Sequence, residues 1–362
     1  MVKRWSQKQA ADWGREHGWL IGCNYSPRNA INQLEMWQKE TFSPDVIKEE
    51  LKWIAGLGFN TIRVFLHDLA WQQDSKGFLK RLDKVLKLAD KQGIGTMPVF
   101  FDSCWHPFPH VGQQPDPEPG VHNSGWLQSP GIAVLRDENR FNGLESYIVS
   151  VVGHFRDDPR VQIWDVWNEP DNSNAMSYGP RDVGREKPDF ATKYLARVFE
   201  WVRSANPTQP LTSGIWAGDW TSDQTLKPHE KIQLEQSDLI SFHCYGDAAD
   251  MERRIKQLQR YKRPLLCTEY MSRGSGSTFD TVLPVLKRYN VGAYNWGCVA
   301  GKTQTNYPWD SWQRPYEQEP DPWFHDIFRG DGTPYQEEEV DLIRSLTGAG
   351  GKGKKRKAPA TV

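Results

Sequence analysis

The stretch Ile163-Trp164-Asp165-Val166-Trp167-Asn168-Glu169-Pro170-Asp171-Asn172 places three carboxylates within seven positions, beside two tryptophans. Its first part belongs to a β-strand over Val161–Trp167, rich in β-branched and aromatic residues. Side chains alternate between the faces of a strand. Asp165 is then a mid-strand acid that needs an Arg, a Lys or a backbone donor to hold it. Asp171 follows Pro170 in a loop, where a turn or N-cap role suits it. Glu169 stands just past the strand's C-terminal end. What that position means depends on the sheet to which the strand belongs.

Working outward, the same kind of run recurs at Trp19–Tyr25, Thr61–Leu66, Thr96–Asp102, Pro210–Trp216, Leu239–Tyr245, Pro264–Tyr270 and Val291–Trp296. With the first, that makes eight strands. Segments of helical period lie between them: Pro44–Ala55, Phe78–Lys91, Leu144–Phe155, Asp189–Ser204, Ala248–Tyr261, Phe279–Tyr289 and Tyr335–Leu346. The helix after the fifth strand has the weakest periodicity. Eight mostly apolar strands alternating with helices predict an α/β fold, a (β/α)8 TIM barrel, whose strands are covered on both faces. The alternative is an open doubly wound sheet, which favours a Gly-rich phosphate loop after an early strand; none is present. Three segments after strands are long: Ser103 to Asn142, Pro170 to Pro188 and Gly297 to Thr333. In a barrel all three lie on the C-terminal face, where active sites are built.

Composition narrows the partners. The net charge of -1 gives the molecule no electrostatic bias toward nucleic acid or an anionic membrane. There is no run of 18 apolar residues and no apolar leader core, so the chain reads as cytoplasmic as given, or as secreted or periplasmic if a leader was removed. The five cysteines, an odd number with no Cys-x-x-Cys pair, read as small buried thiols rather than a disulfide framework or zinc ribbon. Residues 1–346 form one catalytic domain in this reading. Residues 347–362 are a tail with five basic residues (Lys352, Lys354, Lys355, Arg356 and Lys357), of a composition typical of disorder. Nothing in the sequence sets an oligomeric state.

A lone Glu past a strand is weak evidence, since a surface Glu making a salt bridge explains it as well. A second case occurs 100 residues on: "RPLLCTEYMSR" puts Glu269 at the end of the seventh strand. In a barrel, the tops of strands four and seven face each other across the mouth. Two carboxyls there suit work on a glycosidic bond, one kept protonated and the other ionised.

"WNEP" after strand four, "HCY" after strand six, "TEY" after strand seven and "YNWG" at strand eight together resemble clan A of the glycoside hydrolases. Family 5, which includes cellulases and β-mannanases, is the nearest well-known group. The resemblance covers residues 15–346. It implies a retaining glycosidase that needs no cofactor and no metal, with a β-1,4-linked mannan, xylan or glucan, or an oligosaccharide from one, as its carbohydrate partner. It makes Glu169 the acid/base and Glu269 the nucleophile. Asn168 matches the residue that contacts the sugar 2-hydroxyl, Arg63 the arginine beside the nucleophile, and Tyr245 the hydroxyl that positions it. His243 lines the same site, and Trp296 matches the platform under the sugar at the cleavage point. Trp105, Trp126, Trp216 and Trp309 are candidates for further stacking subsites. One departure stands out. Many relatives carry a histidine near the end of strand three, where this chain has Asp102 and Cys104; His106, His110 and His122 follow in the loop. Their spacing matches no strong metal pattern. A carbohydrate-binding barrel without catalysis is the competing class, and it needs neither glutamate. An acyl-transfer hydrolase is disfavoured by the lack of a Gly-x-Ser-x-Gly elbow.

Overall fold

A computed structural model describes residues 3–174, 177 and 184–350. Eight parallel strands form the sheet: β1 (Ile21–Asn24), β2 (Thr61–Phe65), β3 (Gly95–Asp102), β4 (Trp164–Asn168), β5 (Leu211–Thr212), β6 (Ile240–His243), β7 (Leu265–Tyr270) and β8 (Gly292–Asn295). β1 pairs with both β2 and β8, so the ladder runs unbroken from β5 through β1 to β6. Between β5 and β6 the ring is closed by one parallel bridge, Ile215 to Phe242. The result is a (β/α)8 barrel. β5 is much shorter than the run Pro210–Trp216 predicts, because past Thr212 only Ile215 keeps a backbone bridge to a neighbouring strand.

The barrel helices are α1 (Pro44–Gly56), α2 (Ser75–Asp90), α3 (Glu145–Phe155), α4 (Lys187–Ser204), α5 (Pro228–Gln236), α6 (Ala248–Leu258), α7 (Phe279–Arg288) and α8 (Glu337–Thr347). Local sequence explains their ends. α1 starts on Pro44, whose missing N–H costs nothing in the first turn. In α2 the Asp74 side chain caps the N–H of Gly77. α5 sits in the segment of weakest periodicity; it too begins at a proline, and Glu230 reaches back to the N–H of Lys227. Outside the ring, the helix Gln7–His17 buries Ala10 against Leu20, Met97, Ile163, Leu239, Leu266 and Tyr294, closing the bottom of the barrel.

Alternation fails at one point in the opening stretch. Asp165 and Asn168, three apart, both hydrogen-bond Arg63, while Val166 and Trp167 both belong to the core shared with the helices. Trp167 stacks on Phe141 and donates to Ser103 Oγ; Trp164 stacks on Phe100. Both tryptophans are fully buried and serve barrel packing. The two consecutive core-facing residues turn Asn168 to the barrel axis and carry Glu169 over the mouth. All five cysteines are buried and unpaired. No helix among the described residues is long and apolar enough to cross a membrane. Residues 351–362, which hold the basic residues of the tail, lie outside the described residues.

Candidate active site

The C-terminal ends of β2, β4, β6, β7 and β8 bring Arg63, Asn168, Glu169, His243, Tyr245, Glu269 and Trp296 together at the barrel mouth. Arg63 is the hub and is fully buried. Its guanidinium donates to Asp165 Oδ2 (3.0 and 2.8 Å), Asn24 Oδ1 (2.8 Å), Asn168 Oδ1 (2.7 Å) and Glu269 Oε1 (3.2 Å). Burial opposes its charge; Asp165 first, then Glu269, outweigh that cost and hold it ionised. Asp165 is therefore the structural counter-ion that the sequence calls for.

Glu269 receives a second donor, the Tyr245 hydroxyl, at 2.8 Å from Oε2. Burial keeps that phenol protonated and able to donate. Glu169 has a different set of neighbours. Its Oε2 accepts from Asn172 Nδ2 (2.5 Å) and from the Cys104 thiol (3.2 Å). Its Oε1 shares a hydrogen bond of 2.7 Å with His243 Nδ1, which also stands 3.5 Å from Glu269 Oε2. Single ligand atoms of Glu169, His243 and Glu269 all lie within 4.8 Å of one another. Among the described residues this is the one group with spacing that could hold a metal ion, though Arg63 already places a cation there.

Burial pushes both carboxyls up to about 7. For Glu269 the charge of Glu169 adds to the rise, while the Arg63 guanidinium and the Tyr245 hydroxyl oppose it. Two carboxyls this close do not both ionise freely, so the pair holds one proton over a range of pH. Geometry decides where the charge sits: Glu269 faces a guanidinium, and Glu169 faces only neutral donors. Burial lowers His243 to about 4, so its imidazole is neutral. Glu169 also has a backbone φ of 41°, and Trp105 one of 71°, a left-handed region that costs a side chain about 1–3 kcal/mol and clusters at functional sites.

Sequence reasoning left two neighbours of Glu169 without a role. Asn172 is the fourth residue of the turn closed by its own N–H to the carbonyl of Glu169, which aims its amide back at the carboxyl. Cys104 was legible only as a departure from the resemblance. It now stands beside Asp102, which accepts from Trp126 Nε1 (2.7 Å) and Asn168 Nδ2 (3.0 Å). No loop histidine takes over that place. His122 binds the carbonyl of Tyr307, His106 is half-buried and His110 is exposed. Asp171 is no helix cap: it accepts from Trp216 Nε1 (2.7 Å) and lies 3.1 Å from His229 Nε2, tying the β4 loop to α5.

The site opens into a cleft of about 560 Å³, within the range of ligand pockets, roughly 300–1,000 Å³. Trp105, Trp216, Trp296 and Trp309 line it. Trp126 does not; it is buried behind Trp296, edge-on to it and to Phe65.

Comparison with known proteins agrees with this architecture. No protein-family model matches the chain. The mannan endo-1,4-beta-mannosidase F of Aspergillus clavatus is 22% identical over 161 residues, which are 43% of this chain and 32% of that protein. The matched part is thus about a third of that relative's length. Among solved structures, a GH5_18 protein of Streptomyces cattleya in complex with GlcNAc superposes with a TM-score of 0.61 at 15% identity, covering 92% of this chain and 79% of that one. An endo-beta-1,4-mannanase of Thermotoga petrophila gives 0.59 at 14% identity, covering 96% and 80%. An exo-beta-1,4-mannosidase of an Opitutaceae bacterium gives 0.60 at 18%, covering 91% and 60%. The chain has the barrel fold of family 5 glycoside hydrolases.

Proposed function

We propose that the protein is a retaining glycoside hydrolase that cleaves β-O-glycosidic bonds in a β-1,4-linked glycan, or oligosaccharides derived from one, by double displacement. The observation that carries this reading is the pair of buried carboxyls at the ends of β4 and β7, with an oxygen of each within 4.8 Å. Retaining enzymes hold their two carboxyls about 5–5.5 Å apart, and inverting ones about 6.5–9.5 Å, to leave room for water. Glu269, with Arg63 and Tyr245 on its oxygens, is the ionised nucleophile. Glu169 is the proton donor. In the first step Glu269 attacks the anomeric carbon as the bond to the leaving oxygen breaks, and Glu169 gives that oxygen its proton. In the second, Glu169 takes a proton from water, whose oxygen displaces Glu269 from the sugar.

The remaining residues serve these steps. Asn168 is held at both ends of its amide, by Arg63 and Asp102, and is the side chain assigned to the 2-hydroxyl of the bound sugar. Trp296 lines the cleft and is the side chain assigned as the platform beneath that sugar. Mannan comes first among the candidate substrates, since endo and exo mannan-active enzymes share the fold. The test is Glu269→Ala. Turnover of an aryl β-glycoside should fall by several orders of magnitude, because nucleophile and acid act as a unit. Azide should restore it with inverted anomeric product. Full activity in the variant would sink the assignment.

A further inference from the structure

We infer that this cleft takes its substrate by the chain end, removing sugars singly from the non-reducing terminus instead of cutting within a chain. The inference rests on the assignment of Glu269 as nucleophile and Glu169 as acid/base. That assignment gives the cleft a direction. The sugar attacked at its anomeric carbon lies beside Glu269, over Trp296, and the leaving group lies beyond Glu169. In the sheet, β8 stands between β7 and β1, while β4 stands next to β5. The attacked sugar therefore lies on the β8–β1–β2 side of the mouth, and the leaving group on the β4–β5 side.

The two sides are built differently. Toward the leaving group the cleft continues past Trp216 to Asp250 and Arg254. On the other side the loops after β1, β3 and β8 are woven together. The β3 and β8 loops share bonds from Asn123 N to the carbonyl of Thr303 (2.8 Å) and from His122 N to Ser311 Oγ (3.0 Å). Gln304 binds Gly120, Val121 and Glu118. Trp105 lies flat on Trp312, with centroids 5.6 Å apart and planes 13° apart. The β1 loop joins through Asn32 to the carbonyl of Gly125 (2.9 Å), and through Glu35 to Lys302 (2.6 Å).

What this weave leaves behind Trp296 is a pocket of about 20 Å³, walled by Tyr25, Phe65 and Trp126 among others. That is space for about one water molecule. No described residue from the loops after β1 or β2 lines the cleft. An internal cut needs at least one more sugar beyond the one attacked. On that side the space is filled by protein whose backbone is hydrogen-bonded across three loops, so making room would break several of those bonds at once.

The experiment uses β-1,4-linked manno-, xylo- and gluco-pentasaccharides whose reducing ends have been converted to alditols, digested by the full chain and sampled early. For every member cleaved, the free monosaccharide should exceed any longer non-reducing product by at least about tenfold, with the alditol-ended tetramer as its partner. Disaccharides or trisaccharides as the main early products would overturn the inference. An aryl β-glycoside assayed in parallel separates the two claims. Internal cutting alongside Glu269-dependent aryl hydrolysis overturns the chain-end inference alone. Aryl hydrolysis that survives Glu269→Ala overturns the catalytic assignment and the inference with it.

Discussion

Arg63 and Cys104 make the two glutamates unlike. The guanidinium reaches Glu269 and not Glu169, so the shared charge settles on the β7 carboxyl. The thiol of Cys104 reaches Glu169, and burial first, then the charges of Asp102 and Glu169, keep that thiol protonated. A donor to the carboxylate favours its ionised form, so Cys104 holds Glu169 lower than burial alone would. The sign of a Cys104→Ala change follows. Losing the donor raises the Glu169 pKa, and the acid stays protonated to higher pH. The alkaline limb of the kcat/KM profile should move up by about half a pH unit, equivalent to a weak hydrogen bond of roughly 0.7 kcal/mol. Cys104→Ser, which restores a donor, should bring the limb back. An alkaline limb that does not move would remove Cys104 from the control of the acid. Glu169 and Glu269 were legible in the sequence because each ends an apolar strand, one hundred residues apart. Cys104 and Asn172 were not, because nothing in strand or turn spacing says which donors reach a particular oxygen.

Among the elements, the β8 loop brings Trp309 to the cleft and backs the β3 loop, and a buried arginine pins it. Arg273, just after β7, donates to the carbonyls of Trp323, His325 and Asp326 and pairs with Glu339 on α8 (2.5 Å). Removing one partner of a buried pair leaves the other charge stranded, at a cost of about 3–5 kcal/mol. Arg273→Met should therefore lower Tm by roughly 5 °C or more, read by calorimetry on the full chain. A Tm within error of the parent would show that the loop holds without it. Barrel helices such as Pro44–Gly56 and Phe279–Arg288 were legible to within a residue, because their apolar stripes and start signals are local. The loop weave was not legible. Its bonds join residues such as Gly120 and Gln304, 184 positions apart, and no local pattern encodes that meeting.

At the scale of the molecule, the (β/α)8 order follows from eight apolar runs alternating with helical ones, each buried on both faces. What the order alone did not fix is closure, which depends on Ile215 reaching Phe242 where β5 has already ended. The bulk charge carries a prediction too. A chain of net charge -1 acting on a neutral glycan has no field to steer its substrate. The kcat/KM on a neutral oligosaccharide should be flat, within about twofold, from low salt to well above physiological ionic strength. A steep fall with salt would point to a charged substrate and remove neutral mannan, xylan and glucan from consideration.

In the proposed double displacement, Glu269 becomes covalently bonded to the sugar. The direct measurement is to incubate the enzyme with 2-deoxy-2-fluoro-β-glycosyl fluorides of manno, gluco and xylo configuration, then locate the added mass by peptide mapping. One fluorosugar per chain is expected, on the peptide that contains Glu269, and none after Glu269→Ala. A label on Glu169, or inverted product from an enzyme that turns over the parent glycoside without labelling, would contradict it.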